Sequence, residues 1–286
     1  MKKNILQIQI NPVSCKPDLN FEGLEKIFAG FKSTERRADL IILPEFWSLG
    51  WTPEKFKEFA EDENGKTINF LKDFAFENNV SIIGGTMVRK VENELRNSCP
   101  IISSSGNLLG FYDKIHLFAF DMEDKVLNAG DEPCIFNLDG LKVALSVCYD
   151  LRFPRLFEHY TEKADLIVNM AAWPKVRIKD YITLTTARAL EGQAYFAGVN
   201  LCGMGDKVEY GGNSIFINPY GEVISSLKNA EGYILNSVDT EFVAHTREKV
   251  NHAISRKEIK KEVKILNSGV MKWKIYWEFF LQLFWC

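Results

Sequence analysis

The sequence contains no C-x-x-C pair and no cysteine–histidine spacing of the kind that holds zinc. Its six cysteines, Cys15, Cys99, Cys134, Cys148, Cys202 and Cys286, are scattered through 286 residues. Dispersed cysteines in a chain of this length suit a reducing, cytoplasmic compartment better than a disulfide framework. Long apolar runs are missing too. No stretch reaches the about 18 residues that a bilayer requires, so no transmembrane segment is expected. The opening MKKNILQIQIN has two lysines but no continuous apolar core. Gln7 and Gln9 interrupt its isoleucines, which reads as a first strand and not as a signal peptide. A net charge of −3 leaves no basic footprint for nucleic acid. Linkers rich in glycine, serine or proline are absent, as are internal repeats.

What remains is a globular pattern. Residues 4–10, 38–43, 80–88, 142–147, 165–170, 194–200 and 233–239 are short apolar runs and predict strands. Residues 20–32 align Leu24, Ile27, Phe28 and Phe31 on one helical stripe. Residues 66–78 do the same with Ile68, Leu71, Phe74 and Ala75, and further helices are expected near 153–161 and 178–192. Residues 96–112 predict a hairpin turning at Ser105-Gly106, and two more strands flank Asn218-Pro219-Tyr220-Gly221. Strand–helix alternation joined to hairpins predicts an α/β fold, with a mixed sheet and helices outside it. One domain is expected over residues 1–266. The tail, 267–286, differs in character, crowding Trp273, Tyr276, Trp277, Phe279, Phe280, Phe284 and Trp285 into a short span. Its aromatics could dock on the body, join two subunits or lie at a membrane surface.

Three segments carry candidate chemistry. In CYDLRFP, residues 148–154, Cys148 directly follows a buried strand and precedes a helix. That position presents a thiol at a sheet edge, and the Tyr149 backbone N–H could face a substrate oxyanion. A buried structural cysteine is the plainer alternative. In YDKIHLF, residues 112–118, Lys114 lies between apolar residues, where burial would lower its pKa and a carboxylate would restore its charge. In LPEFW, residues 43–47, Glu45 also follows a strand, and an apolar frame of Pro44, Phe46 and Trp47 would raise its pKa and suit it to proton transfer. His116 is two residues beyond Lys114, so a Cys–His dyad is conceivable. His159, His245 and His252 read as structural or solvated.

Together these segments resemble the signatures of the carbon–nitrogen hydrolase (nitrilase) superfamily, in the order Glu, Lys, Cys. The resemblance spans roughly residues 4–260 and includes Asn200 and the runs 187–195 and 218–222. CYDLRFP with YDKIHLF is most similar to the omega-amidase branch. The resemblance implies a four-layer α-β-β-α sandwich, assembled as a homodimer. It implies Cys148 as nucleophile, Lys114 beside it, Glu45 as general base and a second glutamate matching Glu123. It also implies a small-molecule amide substrate, the omega-amide of a short 2-oxo acid such as 2-oxoglutaramate or 2-oxosuccinamate, with no metal and no cofactor. The chain departs from that pattern at Ala172, where close relatives often carry asparagine. Phe46, Trp47, Arg152 and Trp173 are the expected substrate contacts. Arg152 could grip a carboxylate or else brace the turn by pairing with Asp150 or Glu158, and Lys175 and Arg177 are the alternative clamp. Rival readings are a nitrilase or broad aliphatic amidase using the same residues, an N-acyltransferase, and a non-catalytic binding homologue.

Overall fold

In the computed structural model, which describes residues 1–255 and 257, the apolar runs become strands of two sheets. In chain order they are β1 (Lys2–Gln9), β2 (Leu40–Ile42), β3 (Ser81–Ile83), β4 (Met87–Val91), β5 (Glu94–Ile102), β6 (Leu108–Asp113) and β7 (Ile135–Leu138). There follow β8 (Leu141–Val147), β9 (Leu166–Ala171), β10 (Tyr195–Asn200), β11 (Ile215–Ile217), β12 (Val223–Ser226) and β13 (Gly232–Asp239). The helices are α1 (Pro17–Lys32), α2 (Lys66–Asn78), α3 (Glu123–Val126), α4 (Pro154–Glu158), α5 (Ile178–Gly192) and α6 (Thr240–Lys249). One sheet has the order β13-β1-β2-β3-β5-β4 with β6 on β5, and the other runs β12-β11-β10-β9-β8-β7.

Three apolar layers hold the α-β-β-α sandwich together. Between the sheets, Ile5, Leu40 and Ile42 meet Val143, Leu145, Leu166, Val168 and Val199. Their strand neighbours point outward, as the two-residue period demands. Leu6, Ile8 and Ile41 pack under Phe21, Leu24 and Phe28 of α1 and Leu71 and Phe74 of α2. On the other side Ala144, Ile167 and Phe196 pack under Leu156 of α4 and Tyr181 and Ala189 of α5. Strands covered on both faces read as continuous apolar runs, which is why their positions were clear from sequence. The interrupting Gln7 is buried too, and its Nε2 donates to the carbonyls of Gly198 and Ile215 in the opposite sheet at 3.0 and 3.1 Å.

Several expectations change in detail. The run 80–88 is not one strand. Gly84-Gly85 breaks it, and β3 and β4 both pair with β5. The helix expected near 153–161 is shorter, Pro154–Glu158. Three elements, β7, α3 and α6, were not anticipated: β7 is a four-residue edge strand, α3 is a single four-residue turn, and α6 buries only Val243 and Thr246 of a charged sequence. Residues Met1–Ile254 form one compact unit. The aromatic tail, 267–286, lies outside the described residues.

Candidate active site

Four strand ends converge at one end of the sandwich. Glu45 lies beyond β2, Lys114 directly follows β6, Cys148 directly follows β8 and Ala172 directly follows β9. The Glu45 loop presses on Gly85, whose φ is +63°, and a Cβ there would stand 2.1 Å from the Pro44 carbonyl oxygen. Only glycine admits that approach. Thr86 Oγ1 accepts the Phe46 N–H at 3.1 Å and helps hold Phe46 at a φ of 48°.

Cys148 itself has a φ of 44°, a left-handed conformation in which a side chain is strained. Such strain costs about 1–3 kcal/mol and persists only when neighbours over-determine it. Buried Asp150 does so. Its Oδ2 accepts the Val147 N–H at 2.9 Å and the Tyr112 hydroxyl at 2.7 Å. Its Oδ1 accepts the His116 N–H at 2.8 Å and lies 2.8 Å from His116 Nδ1. One carboxylate therefore ties the cysteine turn to the segment that carries Lys114. His116 is committed to Asp150 and to a ring stack on Phe153 at 3.8 Å, so it forms no dyad with Cys148.

The candidate catalytic side chains meet in a buried cluster. Lys114 Nζ lies 2.9 Å from Glu45 Oε1 and 3.0 and 2.8 Å from the two oxygens of Glu123. Asn97 Nδ2 donates to Glu45 Oε1 at 2.8 Å and to Glu123 Oε1 at 2.9 Å. The Ala172 N–H donates to Glu45 Oε2 at 3.0 Å, and the Phe118 N–H to Glu123 Oε2 at 2.6 Å. The Cys148 thiol hydrogen-bonds Glu45, and the Ala172 N–H also faces the sulfur. Ala172 thus contributes through its backbone, whatever side chain stands there.

The electrostatics separate the roles. Burial raises the Glu45 pKa above the usual carboxylate value and the Glu123 charge adds to this, with Lys114 opposing. Burial also pushes the Cys148 thiol well up, and the Glu45 charge pushes it further. Burial disfavours the Lys114 ammonium, but Glu123 and Glu45 outweigh it and raise its pKa. These shifts favour a charged lysine and a protonated resting thiol, with the Glu45 carboxylate beside the sulfur. This arrangement can move a proton from sulfur to carboxylate while keeping a positive charge beside the reacting carbon.

A cavity of about 70 Å³ opens onto Cys148. At about 10–15 Å³ per water-sized group, it holds roughly five to seven such groups. Trp51, Phe118, Tyr149, Trp173 and Val208 wall it, with Asp121, Arg152 and Arg177 as its charged members. Arg152 is held by Asp180 at 2.6 Å and lies over the Trp173 ring, and it pairs with neither of the acids expected from sequence to be its bracing partners. Arg177 lies over Phe118 and makes no ion pair among the described residues. Lys175 is taken by Glu209 at 2.7 Å and does not line the cavity. Phe46 and Trp47 do not line it either, a correction to the expected substrate contacts. Phe46 packs on Phe56 and Trp51, while Trp47 packs on Phe21 and donates to the Gly84 carbonyl at 2.7 Å. The loop points Glu45 at the cluster and so turns both rings into the core behind it. Sequence reasoning passed over Asn97, the grip of Asp150 and the Trp51 wall. The one available signal was the polar pair Asn97-Ser98 directly before the apolar run Cys99-Pro100-Ile101-Ile102.

The carbon–nitrogen hydrolase family pattern matches residues 6–248. A 2-oxoglutaramate amidase of Bacillus subtilis is 30% identical over 251 residues, covering 87% of this chain and 96% of that protein. An omega-amidase of Xenopus tropicalis is 30% identical over 262 residues, covering 86% and 91%. A CN-hydrolase superfamily protein of Xanthomonas campestris, solved with an arsenic adduct in its active site, superposes with a TM-score of 0.82 at 26% identity, covering 91% of this chain and 99% of that one.

Proposed function

The chain belongs to the carbon–nitrogen hydrolase family, hydrolases of C–N bonds other than peptide bonds, and from that premise we propose that it is a cysteine-dependent omega-amidase acting on a short dicarboxylic monoamide of the 2-oxoglutaramate or 2-oxosuccinamate type. The observation that carries the substrate reading is Arg177, a guanidinium at the wall of a small, largely aromatic cavity with no ion pair among the described residues. A substrate carboxylate would complete it, since a guanidinium can grip a carboxylate through two parallel hydrogen bonds. The similar 2-oxoglutaramate amidase and omega-amidase support the same reading.

In the proposed reaction Glu45 takes the thiol proton and the Cys148 sulfur bonds to the amide carbon. Lys114 and the Tyr149 backbone N–H hold the resulting oxyanion. Glu45 passes its proton to the nitrogen, the C–N bond breaks, and ammonia leaves a thioester. Water then attacks the thioester carbon while Glu45 accepts its proton and returns it to the departing sulfur, releasing the acid. Glu123 shares Lys114 with Glu45 and holds the ammonium in place. The proposal places the protein in the cytoplasm, in keeping with five described cysteines that are all free, and as a homodimer on the strength of the family resemblance. The apolar walls favour a second reading, a broad aliphatic amidase or nitrilase built on the same residues. Comparing kcat/KM for succinamate and butyramide separates the two. An advantage of about 10–10³-fold for succinamate is expected from one charge-assisted pair, and equal values would leave the broad amidase.

A further inference from the structure

We propose that Asn97 is a positioning residue of this site, one that keeps Glu45 ionised beside Glu123 by giving one amide N–H to each. The inference rests on the reading of Glu45 as general base. It starts from charge. Two buried carboxylates share one ammonium, because Lys114 Nζ reaches oxygens of both Glu45 and Glu123. One negative charge is left over, and burial makes it costly unless neutral donors surround it. Three such donors are present: the Ala172 N–H on Glu45, the Phe118 N–H on Glu123, and Asn97 Nδ2. Of these, only Asn97 touches both acids, at 2.8 and 2.9 Å.

The orientation of the amide is not ambiguous. Turned over, it would set Oδ1 against two carboxylate oxygens. In the orientation found, Oδ1 is buried and has no hydrogen-bond partner among the described residues. An orphaned buried carbonyl is destabilising, and an apolar side chain of the same size would avoid it. The site keeps Asn97 for its two donors. A hydrogen bond given to the charged form of an acid lowers that acid's pKa. Asn97 therefore works with Lys114 against the burial and the Glu123 charge that raise Glu45. The other titratable groups facing Glu45 are Cys148, hydrogen-bonded to it, and the buried Tyr210 hydroxyl, which accepts the Trp51 N–H.

The test compares the full-length wild type with Asn97→Ala and Asn97→Asp in two pH titrations. One is kcat/KM for succinamate. The other is the rate of Cys148 alkylation by iodoacetamide, which needs no amide substrate. Losing a donor to a charged carboxylate should move the acid limb of both profiles up by about one to two pH units. Asn97→Asp, equal in size but bringing a third carboxylate, should move it further. Folded variants whose acid limbs coincide with the wild type would overturn the inference. A limb that moves in alkylation while no variant or wild type hydrolyses succinamate would uphold Asn97 and sink the substrate reading. Should Asn97→Asp fail to fold, Asn97→Ser takes its place. Its hydroxyl can donate to only one carboxylate, so a smaller upward shift is expected, and no shift would overturn the inference.

Discussion

Replacing Glu45 by glutamine keeps the shape of the side chain and removes one charge. In the wild type every contact of this carboxylate is to a donor: Lys114, Asn97, the Ala172 N–H and the Cys148 thiol. A carboxamide has one oxygen, so its NH₂ must face donors whichever way it turns. That mispairing should cost about 1–3 kcal/mol of stability. Loss of the general base should lower kcat by about 10²–10⁴. The thiol responds the other way. Burial and the Glu45 charge together hold the Cys148 pKa up, and the variant retains only the first. Because the Glu45 charge raises the Cys148 pKa and the thiol hydrogen bond lowers that of Glu45, wild-type Glu45 and Cys148 are expected to titrate together in two steps. The variant should show a single thiol step, lying below the upper of those two. Amide hydrolysis should therefore collapse while the cysteine ionises more readily; since unfolding would also lower the thiol pKa by ending its burial, both are read on a variant whose melting curve shows it to be folded. The assays are steady-state hydrolysis and iodoacetamide titration on the same preparation. Hydrolysis within about tenfold of wild type would refute Glu45 as the base, and a thiol step moved upward would refute the electrostatic reasoning. Melting temperatures add a check on sign. The folded pKa of Glu45 lies above its unfolded value, so its contribution to stability is full below the unfolded value and is lost as pH rises through the folded one. The gap between wild type and variant should narrow from acid to neutral pH.

Cys148→Ala should abolish hydrolysis and leave the melting curve close to wild type, and residual full turnover would dismiss Cys148 as nucleophile. Lys114→Met strands two buried carboxylates, so we expect a loss of about 3–5 kcal/mol at neutral pH, smaller in acid where the carboxylates protonate, and a fall in kcat of about 10² or more. Thermal melts across pH together with kinetics check both. Arg177→Ala should cut kcat/KM for succinamate by about 10–100-fold and spare butyramide, and a parallel loss on both substrates would remove Arg177 as the carboxylate clamp. Gly85→Ala should displace the Pro44–Phe46 loop, lowering stability and kcat together. A variant as active as wild type would show that the 2.1 Å approach is relieved without moving Glu45.

Cys148 and Glu45 were legible because each follows a strand buried on both faces, where a polar residue has few structural reasons to be, and Lys114 because it is flanked by Tyr112, Ile115 and Leu117 even though its own strand, β6, is only partly buried. Their supports were hidden for a physical reason. Asn97 meets Glu45 and Glu123 from 52 and 26 residues away, and β5 is buried on both sides at that point, so no alternation marks the amide as facing a site. Asp150 was read as a partner for its near neighbour Arg152. Its real partners, Tyr112 and His116, lie 38 and 34 residues back, and Arg152 finds Asp180 on the helix that packs alongside. Sequence spacing favours local pairings, whereas tertiary folding decides by which donors reach a buried acid. That rule can be turned into a count. A buried carboxylate must have its oxygens met by donors, so two glutamates around one lysine require neutral donors beyond the ammonium. The search for such donors then narrows to buried amides and backbone N–H groups at adjacent strand ends. In this chain that search leads to Asn97, Ala172 and Phe118, the three groups that complete the cluster.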